Sequence, residues 1–145
     1  FDMQKVKGYR NFANKIWNAS RFVLQNLYDY EEDDTLQLEA DNKNIVDELD
    51  KLTKEVTDLM ERFDFAHAAE TLYHYFWHTF ADKIIENAKP KLNDPKLRKS
   101  TQKMLKTVLD TSLVLLHPFV PFVTEAVWQL NHKKLLMIQR WPKVK

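Results

Sequence analysis

Residues 45–63, IVDELDKLTKEVTDLMERF, decide the fold class. Ile45, Leu49, Leu52, Val56, Leu59 and Phe63 follow one another at steps of 4, 3, 4, 3 and 4, with charged residues between them. At 3.6 residues per turn these six share one stripe of a helix and leave the opposite face to solvent. The even heptad spacing also suits a coiled coil, but it covers fewer than four heptads and the following segment supplies core partners. A bundle helix is the expectation.

The pattern on either side is also helical. Upstream, Val6, Tyr9, Ala13, Ile16, Ser20, Val23 and Leu27 recur at three- and four-residue steps and predict a helix over 3–28, with Asp2 as its N-cap. The acidic stretch 29–34 ends that helix. Downstream, an aromatic-rich helix is expected over 65–89, with Ala69, Leu72, Phe76 and Phe80 on one stripe, Tyr73 and Trp77 beside it, and Pro90 as its stop. Asp94-Pro95 reads as an N-cap followed by proline at the first helical position, opening a fourth helix toward His117. Leu105, Val108, Leu109, Ser112, Leu113 and Leu116 give that helix its apolar face. In His117-Pro118-Phe119-Val120-Pro121-Phe122 the first proline breaks it, and the second starts a short helix carrying Trp128. The tail from Asn131, with Leu135 to Ile138 and Trp141-Pro142, is expected as an extended strap. The fold class is therefore all-α: a helical bundle of about four long helices plus a short C-terminal helix and strap, in a single domain over 1–145.

Composition narrows the function. With 145 residues and 44% apolar content, one well-filled core is within reach. There is no cysteine, so disulfides and thiolate metal sites are excluded, which suits a reducing, cytoplasmic setting. Glycine occurs once, at Gly8, so the glycine-rich loops that cradle nucleotide phosphates cannot be built. No apolar run is long enough for a membrane span, no signal pattern opens the chain, and the missing initial methionine suggests a fragment. Net charge is only +1, yet residues 83–145 carry a balance of +9 and residues 31–62 one of −8. Such segregation can place a positive field on one face, although ordinary solvated helix faces give the same count.

No catalytic centre is legible: no nucleophile sits in a recognisable elbow, and the carboxylates lie among lysines on solvated faces. Glu70, His74 and His78 fall four residues apart, as on a metal-binding helix, but no third strong ligand is near and the His-Glu-x-x-His motif is absent. No metal is expected. The informative face lies on the first helix, where Arg10, Asn14, Trp17 and Arg21 align at steps of 4, 3 and 4, bordered by Asn11 and Asn18. Proteins that read single-stranded RNA stack unpaired bases on aromatic rings or guanidinium planes and bond their edges with amides and arginine. The same residues also suit a structural role, with the asparagines bonded inside the bundle, the arginines paired to carboxylates and Trp17 in the core.

At these residues, Gly8-Tyr9-Arg10-Asn11-Phe12-Ala13-Asn14-Lys15-Ile16-Trp17-Asn18-Ala19-Ser20-Arg21-Phe22-Val23-Leu24, the chain resembles the first helix of the anticodon-binding domain of valyl-tRNA synthetases, class I aminoacyl-tRNA synthetases. Phe63-Asp64-Phe65 through Phe80-Ala81-Asp82 agrees in order and spacing, as does Leu116-His117-Pro118-Phe119-Val120-Pro121-Phe122-Val123-Thr124-Glu125 with Trp128. Isoleucyl and leucyl relatives share the flavour of the later segment but usually depart from the first helix. Lys83-Ile84-Ile85-Glu86 replaces a common Trp-Tyr-Leu-Glu run, and the turn over 131–134 looks shortened.

The resemblance implies binding of the tRNA(Val) anticodon stem-loop, with adenine and cytosine at the second and third anticodon positions as identity bases. On it, Arg10, Asn14, Asn18 and Arg21 are expected to contact base edges and phosphates, and Trp17 to stack a base. Glu86, Asn87, Lys89 and Lys91 form a second expected contact region beside the first helix. The family's ATP-handling motifs, His-x-Gly-His and Lys-Met-Ser-Lys-Ser, are absent from this sequence. The resemblance therefore implies that the fragment is not itself an enzyme, that it has no cofactor, and that ATP belongs to the catalytic domain of a parent valine-tRNA ligase. The expected partners are tRNA(Val) and that catalytic domain, with no membrane and a monomeric state. The alternatives are the anticodon domain of an isoleucyl- or leucyl-type synthetase, or a helical interaction or metal-binding bundle with no RNA role.

Overall fold

The computed structural model describes residues 3–144, so the expected cap at Asp2 lies outside the described residues. Among the described residues there are six α-helical segments: α1 (Met3–Gln25), α2 (Ala40–Glu61), α3 (Phe65–His74), α4 (Ile85–Leu92), α5 (Arg98–Leu116) and α6 (Pro121–Gln129). A π-helical segment, Tyr75–Ile84, joins α3 to α4, so residues 65–92 form one continuous rod. There is no strand among the described residues. Four long rods, a short α6 and a tail thus build the all-α bundle that the periodicity predicts.

The α2 stripe works as read, with one exception. Leu49, Val56 and Leu59 are buried, and Ile45 and Leu52 pack against the core. Phe63 is instead 78% exposed, with φ at 58°. It closes α2 in the left-handed conformation usually given to glycine: the Phe63 amide donates to the Met60 carbonyl and the Asp64 amide to the Leu59 carbonyl.

In the 65–92 rod, Ala68, Leu72, Phe76, Phe80, Ile84, Ala88 and Leu92 are all buried, a strict four-residue repeat. In an α-helix each four-residue step overshoots the previous side chain by about 40°. A π-helix has more residues per turn, so the same step falls short. Placing the π segment between two α segments holds the whole stripe toward the core, and the stripe begins at Ala68 rather than at the expected Ala69. Pro90 does not stop the rod, which runs on to Leu92. Its missing N–H falls in the last turn and on an exposed side, where the Glu86 carbonyl can turn to water.

Two other boundaries shift. α1 ends at Gln25 rather than at residue 28, and the Asn26 carbonyl just beyond it accepts from Gln102 Nε2 of α5 at 2.8 Å. The amides of Leu27 and Tyr30 then close three-residue turns onto the Leu24 and Leu27 carbonyls. Asp94 accepts from the Lys96 amide, and its carbonyl receives the Leu97 and Arg98 amides, so it caps the turn that leads into α5. α5 is the central rod: Leu105, Val108, Leu109, Ser112, Leu113 and Leu116 are all buried.

The acidic connection between α1 and α2 wraps α5 and uses up much of its positive charge. Arg98 makes a two-pronged contact with Asp29, from Nη2 at 2.7 Å and Nε at 3.0 Å. Lys106 pairs with Glu32 and Asp110, and Lys103 donates to the Asp33 and Leu36 carbonyls. A buried knot ties α2 to α5, with Asn42 Nδ2 donating to Ser100 Oγ at 3.0 Å. The tail carries a short turn, Leu136–Ile138, fixed by Glu125, whose carboxylate accepts from the Leu136 and Met137 amides. Trp141 then donates to Thr57 Oγ1 on α2 at 2.9 Å, which makes the tail a strap across the bundle.

Candidate nucleic-acid interface

α1 divides its residues by face. Phe12, Ile16, Ala19, Ser20 and Val23 are buried. Arg10, Asn14, Trp17, Asn18 and Arg21 all face solvent. Trp17 is 41% exposed and so is not a core residue. Among the described residues no ion pair or side-chain hydrogen bond engages Arg10, Asn14, Asn18 or Arg21. The asparagines are not bonded inside the bundle and the arginines are not paired, so the purely structural use of this face is set aside. From Arg10 to Arg21 the row spans about 16 Å at the α-helical rise.

A groove of about 190 Å³ runs between α1 and the 65–92 rod. Asn18 and Phe22 line it from α1, and Ile85, Glu86 and Lys89 from the other side. The structure therefore brings Asn18 together with Glu86 and Lys89, two separately predicted regions. Lys89 pairs with Glu86 at 2.7 Å and lies 5.6 Å over the Phe22 ring. One end of the groove is closed by Lys15, which pairs with Asp82 at 3.0 Å and sits 5.2 Å over Trp77. Hydrogen bonding to Lys15 is the main cause that holds the Asp82 carboxyl below its usual range.

The other predicted residues are placed differently. Trp17 and Arg21 line a separate hollow between α1 and α6. Arg10 and Asn14 continue the row toward the start of α1 and line neither depression. Asn87 is exposed outside both. Lys91 turns to the start of α2, where it lies 3.6 Å from Glu39 and 3.9 Å from Asp41 and reaches Asn42 Oδ1 at 3.4 Å.

Sequence reasoning missed Phe22 and Lys15. Phe22 is three-quarters of a turn past Ala19 and reads as core on periodicity alone, but its partly buried ring forms a groove wall. A further signal was available: α1 carries Lys5, Lys7, Arg10, Lys15 and Arg21 and no carboxylate at all. While much of the charge of α5 is met by the acidic connection, Arg10 and Arg21 of α1 are met by no carboxylate among the described residues and leave a positive field on the exposed face of a helix that carries none of its own.

His74 and His78 stand exposed with rings stacked at 5.5 Å, each beside a carboxylate, Glu70 and Asp82 respectively. Among the described residues no group of three or more His, Cys, Asp or Glu side chains is arranged to hold a metal ion. Among the described residues no helix is long and apolar enough to cross a membrane.

The chain is 45% identical over 145 residues to a valine-tRNA ligase of Thermotoga maritima, which covers 99% of this chain and 17% of that protein. It is 46% identical to the valine-tRNA ligase of Pseudothermotoga lettingae over 94% of this chain and 16% of that one. A Bacillus cereus valine-tRNA ligase is 43% identical over the full chain and 17% of its own length. The chain thus spans about a sixth of the length of these curated relatives. Residues 42–145 match the family model described as the anticodon-binding domain of tRNA ligase. With that match covering most of the bundle, the chain belongs to the family of anticodon-binding domains of tRNA ligases.

Proposed function

We propose that this chain is the anticodon-reading domain of a valine-tRNA ligase and binds the anticodon stem-loop of tRNA(Val). The observation that carries the reading is the row of unpaired polar and aromatic side chains on α1, set on a helix without carboxylates beside a groove with a ring in its wall. Identity of 43–46% to valine-tRNA ligases over nearly the whole chain supports valine as the specificity.

In this reading Asn18 and Glu86 offer acceptors and a donor to base edges, and the Phe22 ring offers a stacking surface. Arg10 and Lys89 supply cationic contacts to phosphates. Arg21 and Asn14 stand free for base or phosphate contacts. The adenine and cytosine of the second and third anticodon positions are the bases to be read. Attachment of valine, with its ATP, belongs to the remainder of the longer enzyme. The domain's part is to hold the far end of the tRNA so that the acceptor end reaches the catalytic centre. It acts as one unit, without a cofactor of its own.

The test is binding of the chain to a labelled tRNA(Val) anticodon stem-loop and to one with its second and third anticodon bases exchanged, across a salt series. The expected result is preference for the cognate loop. Asn18→Ala should then remove about 1 to 3 kcal/mol from that preference. Lys89→Ala should weaken both loops alike and flatten the salt dependence. Equal, purely salt-dependent binding would overturn the base-reading role of this face.

A further inference from the structure

α1 and the 65–92 rod run in the same direction. Lys15 of α1 meets Asp82 of the rod, and seven residues further along both helices Phe22 meets Lys89. Both rods therefore end on the same side of the molecule, where each presents its last carbonyls and the negative end of its dipole. α1 packs closely on the π-helical segment but makes no comparable contact with α4. The groove thus opens toward two helix ends that do not hold each other. Arg98, at the start of α5, spans that opening. Its Nη1 donates to the Leu92 carbonyl at 2.9 Å and its Nη2 to the Asn26 carbonyl at 3.4 Å, one carbonyl from each rod end. Nε and Nη2 also donate to Asp29, just beyond α1, at 3.0 and 2.7 Å. Gln102, one turn further along α5, donates to Asn26 and Asp29 and so engages the α1 side only. A planar guanidinium offers its N–H groups in fixed directions, so these bonds fix the spacing of what they join. A lysine ammonium is a point charge on a flexible stem and sets no such spacing.

We infer that Arg98 is a positioning residue for anticodon reading: by tying the ends of α1 and the 65–92 rod together, it sets the width of the groove in which Asn18 faces Glu86 and Lys89. The inference rests on the RNA-binding reading above and adds to it a residue that lines neither the groove nor the hollow beside α6. At the other end of the groove the Lys15–Asp82 pair makes a second tie, about 16 Å from Asn26 at the helical rise. That tie is a single contact between side chains 30% and 44% exposed, a kind that contributes little. Arg98 is the more sheltered at 22%, and it makes four bonds to three residues. The width of the groove therefore falls mainly to Arg98. Hydrogen bonds to a base edge hold only over a range of about 0.5 Å, whereas attraction to phosphates reaches across a screening length of about 10 Å. Loosening the rod ends should accordingly cost preference between loops and leave the general attraction to RNA in place.

The experiment has two readouts on the same variants, each measured where circular dichroism shows the chain folded. The first needs no RNA. Because the chain has no cysteine, spin labels on Gln25→Cys and Asn87→Cys, two exposed positions on the two rods, report the separation of the rods. Arg98→Lys should broaden the distribution of label distances. Lys103→Met removes bonds from α5 to the Asp33 and Leu36 carbonyls but touches neither rod, and should leave the distribution narrow. The second readout is binding of the tRNA(Val) anticodon stem-loop and of the loop with exchanged bases. Arg98→Lys should lower the cognate preference about 10-fold, the equivalent of one base contact, with the salt dependence unchanged because the charge is kept. Asp29→Asn, which leaves the bonds to both rod ends, should lower it less, and Lys103→Met should not lower it. A purely structural role would lower the unfolding midpoints of Arg98→Lys and Lys103→Met without moving the preference of either. Unchanged preference or unchanged label distances in Arg98→Lys refutes the positioning role, as does an equal loss of preference in Lys103→Met; cognate preference in the unaltered chain then still supports anticodon reading. An unaltered chain that binds no stem-loop even at low salt overturns both.

Discussion

Phe63 shows how a single backbone angle outweighs a hydrophobic pattern. It continues the 4-3 stripe of α2 by spacing, yet it sits at φ 58° and in solvent, because the chain must turn sharply between α2 and α3. Left-handed backbone costs an ordinary residue about 1–2 kcal/mol, and a β-branched side chain more. Phe63→Gly should therefore be more stable than Phe63→Val by about 1–2 kcal/mol in urea unfolding, and equal stabilities would remove the strain argument. Asp29 illustrates the reverse case, a charge whose partner is far away in sequence. Hydrogen bonding from Arg98 is the main cause that lowers its carboxyl from 3.8 to about 2. A carboxyl lowered in the folded state stabilises that state above its ordinary 3.8 and ceases to do so as pH falls toward 2. The difference in unfolding midpoint between the chain and Asp29→Asn should accordingly be constant near neutrality and vanish in that acid window. Nothing in the sequence reveals this pairing, since Asp29 reads only as part of an acidic turn. Arg10, Asn14, Trp17, Asn18 and Arg21, by contrast, were legible as one face, because helical spacing alone determines which side chains are neighbours.

The rod over 65–92 marks the limit of periodicity as a guide. Its aromatic stripe was readable, and Leu72, Phe76 and Phe80 are buried as the spacing predicts. The π winding was not readable, because a four-residue repeat is consistent with an α-helix over a short window and departs from it only when followed across several turns. Pro90 was misjudged as a stop for another reason: its missing N–H falls in the last turn and on an exposed side, so the rod runs on to Leu92. Phe80 lies inside the π segment, fully buried, with its ring 5.2 Å from that of Phe76. Phe80→Ala should cost about 3–5 kcal/mol, read from denaturant midpoints. A loss under 1 kcal/mol would mean that the segment relaxes to close the cavity. Lys89 was expected beside the first helix, but the groove walls at Phe22 and Lys15 were missed for a related reason: they depend on how two rods lie against each other, and neither helix alone carries that information.

At the level of the whole molecule, the charge segregation visible in the sequence has two outcomes. The basic residues of α5 are largely met by the acidic connection, so they add little outward field. On α1, whose helix contains no carboxylate, Arg10 and Arg21 are left to face solvent, while Lys15 pairs with Asp82. The segregation could be counted from the sequence, but which basic segment stays uncompensated is decided by the packing. The contacts that bind the acidic connection to α5 join residues far apart in sequence, among them Lys103 to the Leu36 carbonyl, 67 positions apart, and Gln102 to Asp29, 73 apart. Bringing such distant segments together is an entropic loss the unfolded chain must bear before the core rewards it. Opposite charge on the two segments draws them together while the chain is still open, across distances that added salt shortens. The embrace of α5 is thus also a kinetic device. Refolding followed by tryptophan fluorescence should slow as salt rises from about 0.01 M to 1 M, where screening contracts from roughly 30 Å to 3 Å. The acidic connection, which lines neither depression beside α1, would then set how quickly the shape that presents the α1 row is reached.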